Sequence, residues 1–222
     1  MFTRRTALLA QLKEIFDRLG SNKNSNAIKE ALQLGLLNAI GLASRPDGYF
    51  ANLLIKILMP EKLKNVERAL RLVGAGKMIN EFILGMNRAA EKAAPLAKDI
   101  FLDALRGMSI QDAVGLLRGG DTAATDFFKL STSDRLIIAF RPPITESMQS
   151  VGAIRSFEKM IERFQKIPFM KTEPVDIEGY VTTKAVDGLF FLVAEEENRI
   201  RKNPAARNTQ FLRDVFGSLG SH

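Results

Sequence analysis

The chain has 222 residues, 46% hydrophobic and 26% charged, with 32 Lys and Arg against 25 Asp and Glu for a formal net charge of +7. That is enough apolar chain for a sizeable core, and the composition lies far from the disordered classes. There is no cysteine and a single histidine, His222 at the chain end, which excludes disulfides, thiolate nucleophiles and zinc–cysteine sites and leaves proton transfer to carboxylates, Lys, Tyr or Ser/Thr.

The N-terminal stretch begins like an export signal, Met1-Phe-Thr-Arg-Arg, but Gln11, Lys13, Glu14 and Asp17 interrupt its apolar run, and no small-residue cleavage site follows. It reads as an amphipathic helix over 1–24 ahead of a helical domain over 25–222, and the incomplete signal points to the cytoplasm. No run approaches the 18 or so apolar residues a membrane span needs. Leu53–Met59, bounded by Pro60, is the one short segment with extended character.

Helical spacing dominates the rest of the chain. Leu63, Val66, Leu70 and Val73 share one face, and residues 77–92 carry two apolar stripes, a pattern that places this helix centrally in the fold. Gly74-Ala-Gly-Lys77 lacks the glycine and hydroxyl residue of a phosphate loop and reads as a turn between helices. Pro95 suits the first turn of the next helix, which ends at Gly107. Ser109 with Asp112 forms a capping-box pattern ahead of a helix ending at Gly119-Gly120. Asp121 is placed to cap the following segment, Ser131 with Asp134 repeats the capping pattern, and Pro142-Pro143 predicts a break or kink. Residues 152–166 form an amphipathic helix. Asp176 caps a long helix reaching Arg201, and a last helix carries Phe211, Leu212, Val215 and Phe216. The pattern is all-α, a single-domain bundle of about eight to ten helices with little or no β.

Several stretches appear together in order: Met86-Asn-Arg-Ala-Ala-Glu91 with Ala94-Pro95; Gly119-Gly-Asp-Thr-Ala-Ala-Thr125 with Phe127-Phe128; Asp187-Gly-Leu-Phe190; Ala194-Glu-Glu-Glu197; Ile200-Arg201; and Asn203-Pro-Ala-Ala-Arg207 leading to Val215-Phe-Gly217. In this series the chain resembles the bacterial family called domain of unknown function 4197 over residues 27–217. The resemblance implies a helical fold and no assigned activity. Many members of that family carry an export signal, which this N-terminus departs from.

Asn87, Arg88 and Glu91 stand on the most apolar helix, where polar groups need partners. They form either a pocket wall in which Arg88 holds an anion or an internal network between helices, and desolvation favours the network. Asp187, flanked by Val186 and Leu189, is expected to be buried, with Arg88 a conceivable partner; lining a cavity, it could bind a cation or act as a base. Glu195, Glu196 and Glu197 point about 100° apart on a helix and so do not share a metal; Glu195–Arg199 and Glu197–Arg201 are ordinary i,i+4 pairs. Arg155, Lys159, Arg163 and Lys166 form a basic stripe that suits a membrane surface or a nucleic-acid backbone, diluted by Glu158 and Glu162. With no Trp and only Tyr49 and Tyr180, base stacking has little support.

These readings lead to a non-enzymatic helical binding or scaffold protein that uses grooves between helices for a protein partner or an apolar ligand. An enzyme or a small-molecule or lipid carrier built around Arg88, Glu91 and Asp187 is the alternative, and peripheral membrane binding through basic amphipathic helices is a third. No cofactor or metal is expected, and nucleic acid is disfavoured.

Overall fold

The computed structural model describes residues 22–167 and 173–202. Residues 1–21 of the N-terminal helix expected over 1–24, most of the loop around Pro168 and the last helix with Phe211 and Phe216 lie outside them. Among the described residues every regular element is helical: α1 (Asn22–Ser44), α2 (Lys64–Leu72), α3 (Gly76–Ala93), α4 (Ala97–Gly107), α5 (Ile110–Arg118), α6 (Ala123–Ser150), α7 (Ala153–Gln165) and α8 (Ile177–Lys202), with 3₁₀ turns at Glu61–Leu63 and Ala94–Leu96. The boundary expected near residue 24 falls inside α1. Leu53–Met59 forms turns and irregular backbone, not a strand.

Several local signals act as the sequence implies. The Ser109 hydroxyl accepts from the Asp112 amide at 3.0 Å while Asp112 accepts from the Ser109 amide, a closed capping box opening α5. Asp176 caps α8 by accepting from the Gly179 amide at 2.8 Å. Gly74, at φ 80°, turns the chain between α2 and α3.

Other signals are overridden. α6 runs uninterrupted through Pro142 and Pro143, and Ser131 sits inside it, its hydroxyl donating to the Phe127 carbonyl at 2.8 Å instead of capping a new start. The reason is packing: Leu136, Phe140, Ile144 and Met148 recur every fourth residue and all are fully buried, on both sides of the prolines. A stripe of that size outweighs the roughly 3 kcal/mol that an interior proline costs. Segments expected to be separate helices are therefore one, which lowers the helix count slightly. Nor does Asp121 cap α6; it is exposed and pairs with Lys202 at 3.1 Å.

The chain clusters into two compact units. Among the described residues one comprises Asn22–Asn38, Phe101–Ser131 and Val193–Lys202, and the other comprises Ala39–Ile100 and Thr132–Leu192. In the first, Phe101 and Phe128 meet edge-on at 5.7 Å within a core that includes Ile28, Leu36 and Leu105. In the second, α7 packs on α2 and α3 through Ala153, Met160 and Phe164, and the Phe157 and Phe82 rings stack at 5.5 Å. A Cβ on Gly85 would lie 2.8 Å from that of Ala153, so the approach of α3 to α7 requires glycine there.

Candidate functional site

In the second unit the chain leaves α1 at Ser44 and crosses residues 45–60 without regular structure before reaching α2. The turn Arg45-Pro-Asp-Gly48 opens this loop, with Asp47 at φ 64°, a left-handed conformation that aspartate tolerates better than most residues. A loop has many polar backbone groups to satisfy; Asn87 and Glu91 of α3 satisfy several of them, and Arg88 beside them reaches a side chain of the loop.

Asn87, fully buried, accepts from the Ile57 amide at 2.8 Å and donates to the Ile57 and Ile83 carbonyls, both at 2.8 Å. Its carboxamide pairs with the peptide of Ile57 much as a neighbouring strand would. One turn on, the buried Glu91 carboxylate accepts from the Tyr49 and Phe50 amides at 3.1 and 3.2 Å. Its other oxygen accepts from the Arg88 guanidinium at 2.6 Å, and the second arm of Arg88 reaches Asp47 at 2.7 Å. Hydrogen bonding to Glu91 first, and then the Asp47 contact, hold the guanidinium pKa above its ordinary value against the opposing effect of burial.

Tyr49 completes the attachment. Its ring is buried and its hydroxyl donates to the Ala185 carbonyl of α8 at 2.6 Å. Burial, and then the charge of Glu91, push this phenol far above the ordinary tyrosine range. A Cβ on Gly188 would lie 2.6 Å from the Tyr49 ring, so α8 meets the loop closely only because that position is glycine. Nearer the loop's end, the Tyr180 hydroxyl donates to the Leu58 carbonyl at 3.0 Å.

The structure thus brings Asn87, Arg88 and Glu91 together, facing a loop of the same unit rather than another helix. It does not bring Asp187 to them. That carboxylate is half exposed at 50% and lies 3.6 Å from the Lys184 ammonium, because Val186, Leu189 and Phe190 take the buried side of α8 and leave Asp187 on its flank. The expected pairing with Arg88 is not formed.

Held from behind in this way, the loop turns Leu53, Leu54 and Leu58 outward, 85%, 73% and 57% exposed. Between its 54–59 segment and α8 runs an open groove of about 490 Å³. One wall carries Leu54, Ile55 and Leu58, and the other is the α8 stripe Tyr180, Lys184, Asp187, Gly188 and Phe191. Lys56 also lines it, its ammonium 3.8 Å from the Phe50 ring centre, as do Glu61 and Lys64, paired at 2.6 Å. Periodicity could not find this site because the loop has none; the available signals were the Pro-Asp-Gly turn and a Leu-Leu pair with no helical counterpart.

The basic stripe occupies the solvent face of α7: Arg155, Lys159, Arg163 and Lys166 are all exposed, as are Glu158 and Glu162, and Lys166 pairs with Glu162 at 2.7 Å. The opposite, apolar face of α7 is taken up by packing, so this helix has no free apolar side to insert into a bilayer.

A second buried polar cluster lies in the first unit. Glu197 accepts from the Ala124 and Thr125 amides at 2.9 and 2.8 Å and from the Thr125 hydroxyl at 2.8 Å, capping α6 from α8. Arg201 pairs with Glu197 at 2.7 Å and donates to the Leu116 carbonyl of α5 at 2.8 Å. The Glu197–Arg201 pairing is as expected, whereas Arg199 bonds Glu196, which also accepts from Asn38, rather than Glu195. The small apolar cavity beside this cluster, about 60 Å³, is bounded by Leu36, Phe128, Val193 and Ile200.

Among the described residues no group of three or more His, Asp or Glu side chains is placed to hold a metal, and no helix is long and apolar enough to cross a membrane. A family model described as a protein of unknown function, DUF4197, matches residues 18–217. Neither the curated proteins nor the solved structures contain a match to this chain.

Proposed function

The chain belongs to the DUF4197 family of proteins of unknown function, and from that premise we propose that it is a non-enzymatic binding protein whose binding surface is the groove between the 54–59 segment and α8. The observation that carries this reading is the exposure of Leu53, Leu54 and Leu58 on a loop whose backbone is fastened by buried hydrogen bonds. A loop free to collapse would turn such leucines inward. A fastened loop keeps apolar surface in water, where its removal by a partner or ligand is favourable at about 25 cal/mol per Å². The alternative of catalysis around Arg88 and Glu91 is disfavoured by where their polar atoms point, since both Glu91 oxygens and Asn87 are engaged by the loop or by Arg88.

Native mass spectrometry of the protein purified from its own host, compared with Leu58→Asp, tests this. The wild-type chain is expected above its 24.6 kDa mass, with a bound molecule or second chain, and the variant clean. Two clean spectra, or the same added mass in both, would overturn it.

A further inference from the structure

Resting on that reading, we infer that the groove takes a single anionic amphiphile, a carboxylate or phosphate head on an unbranched alkyl chain. Its dimensions suit one such molecule. The volume of about 490 Å³ lies within the range of small-molecule sites, roughly 300–1,000 Å³. Tyr180 and Phe191 mark its length on α8, roughly 16 Å apart at about 1.5 Å per residue. A zig-zag alkyl chain advances about 1.25 Å per carbon, given a bond of about 1.52 Å and an angle near 111°. Roughly twelve or thirteen carbons therefore span the groove.

The lining offers both the charged and the apolar side chains that such a molecule requires. Tyr180, whose hydroxyl holds the Leu58 carbonyl, and Lys184 lie one turn apart on α8, and Lys64 also lines the groove. At Gly188 the missing Cβ would lie 3.2 Å from that of Ile55, and Ile55, Leu54, Leu58 and Phe191 supply the apolar part of the lining. The two carboxylates present, Glu61 and Asp187, each hold one lysine, at 2.6 Å to Lys64 and 3.6 Å to Lys184. All four side chains are about half exposed or more, and exposed pairs of this kind contribute only about 0–1 kcal/mol, so an incoming anion can exchange for either. Lys56, over the Phe50 ring, meets no carboxylate among the described residues and leaves the lining one positive charge in excess. A bilayer surface fits less well, because the groove is a trough walled on both sides.

Titration calorimetry of the full chain with laurate, below its micelle concentration at pH 8, tests the assignment. One saturable site is expected. Decanoate should bind about 15-fold more weakly, at about 0.8 kcal/mol for each of two methylenes, and dodecanol at least fivefold more weakly than laurate. Lys64→Met with Lys184→Met, which leaves Glu61 and Asp187 unpaired in the lining, should bring laurate affinity down to that of dodecanol or below it while leaving the far-ultraviolet circular dichroism unchanged. No saturable heat up to millimolar laurate overturns the proposal, as does equal binding of laurate and dodecanol or of laurate and decanoate. Sedimentation with phosphatidylglycerol vesicles in the absence of laurate binding also overturns it, in favour of a membrane surface. Absent laurate binding with a Leu58→Asp-sensitive adduct in the native mass spectrum removes the amphiphile and keeps the binding reading; absence of both removes both.

Discussion

Replacing Asn87 with alanine should unfasten the loop, and the cost can be worked from its contacts. The carboxamide provides both hydrogen bonds to the Ile57 peptide, and Ile57 is itself buried. Alanine leaves that amide and that carbonyl without their partner, at about 1–3 kcal/mol for each buried group, with a further term for the space vacated. The Ile83 carbonyl loses less, because it belongs to the hydrogen-bond ladder of α3. The sum is about 3–5 kcal/mol, a large share of the 5–15 kcal/mol by which proteins are usually stable. Urea unfolding followed at 222 nm should register that loss, and amide exchange should show Ile57 losing protection. Asn87→Asp keeps an acceptor for the amide but sets an oxygen against the Ile57 and Ile83 carbonyls, so it should fare no better than alanine. A loss below about 1 kcal/mol with Ile57 exchange unchanged would refute the fastening role and return Asn87 to the pocket-wall reading.

The other buried groups carry predictions of their own. The Tyr49 phenol is raised in the folded chain, so the stability it contributes is complete below the unfolded tyrosine pKa of about 10 and is lost as pH rises above it; wild-type urea midpoints should fall between pH 10 and 11.5, and Tyr49→Phe should flatten that fall, whereas an identical slope in both would contradict it. Tyr180 is raised by burial and then by Glu61, so a residual slope should remain in the variant. Glu197→Ala exposes the first turn of α6 and strands Arg201, at about 3–5 kcal/mol for a broken buried pair; at about 2–4 °C per kcal/mol the melting temperature should drop by roughly 10 °C, and a drop under 2 °C would contradict the capping geometry. Alanine at Arg155, Lys159 and Arg163 together should change stability by less than about 0.5 kcal/mol and leave the protein free of anionic vesicles at about 0.15 M salt. Salt-sensitive sedimentation of the wild type that the triple variant loses would show the stripe to be a docking surface.

The helices are legible because apolar periodicity reports burial, and burial forms them: α2, α3 and α7 lie close to where the spacing puts them. Local signals mislead where a larger packing term opposes them. Pro142-Pro143 and Ser131 speak for an end or a start, yet Leu136, Phe140, Ile144 and Met148 carry α6 past both. At the site, Asn87, Arg88 and Glu91 stand out as polar residues on an apolar helix, but their partner is an aperiodic loop, and nothing in periodicity reveals which backbone a buried carboxamide will hold. Asp187 misleads for a related reason: its neighbours in sequence are buried, but a helix turns by about 100° per residue and the carboxylate falls on the flank. The series of motifs from Gly119 to Thr125 and from Ala194 to Arg201 acquires a physical meaning in the structure, since Glu197 and Arg201 bind the backbone of α6 and α5.

The most direct test of a binding groove at the fastened loop is photo-crosslinking in the native host, with benzoylphenylalanine at position 58 and, as a control, at position 72, where Leu72 is even more exposed on α2 and lies outside the groove lining. A discrete crosslinked species from position 58 and none from position 72 is the predicted result. No adduct at position 58, or the same adduct from both positions, would contradict it.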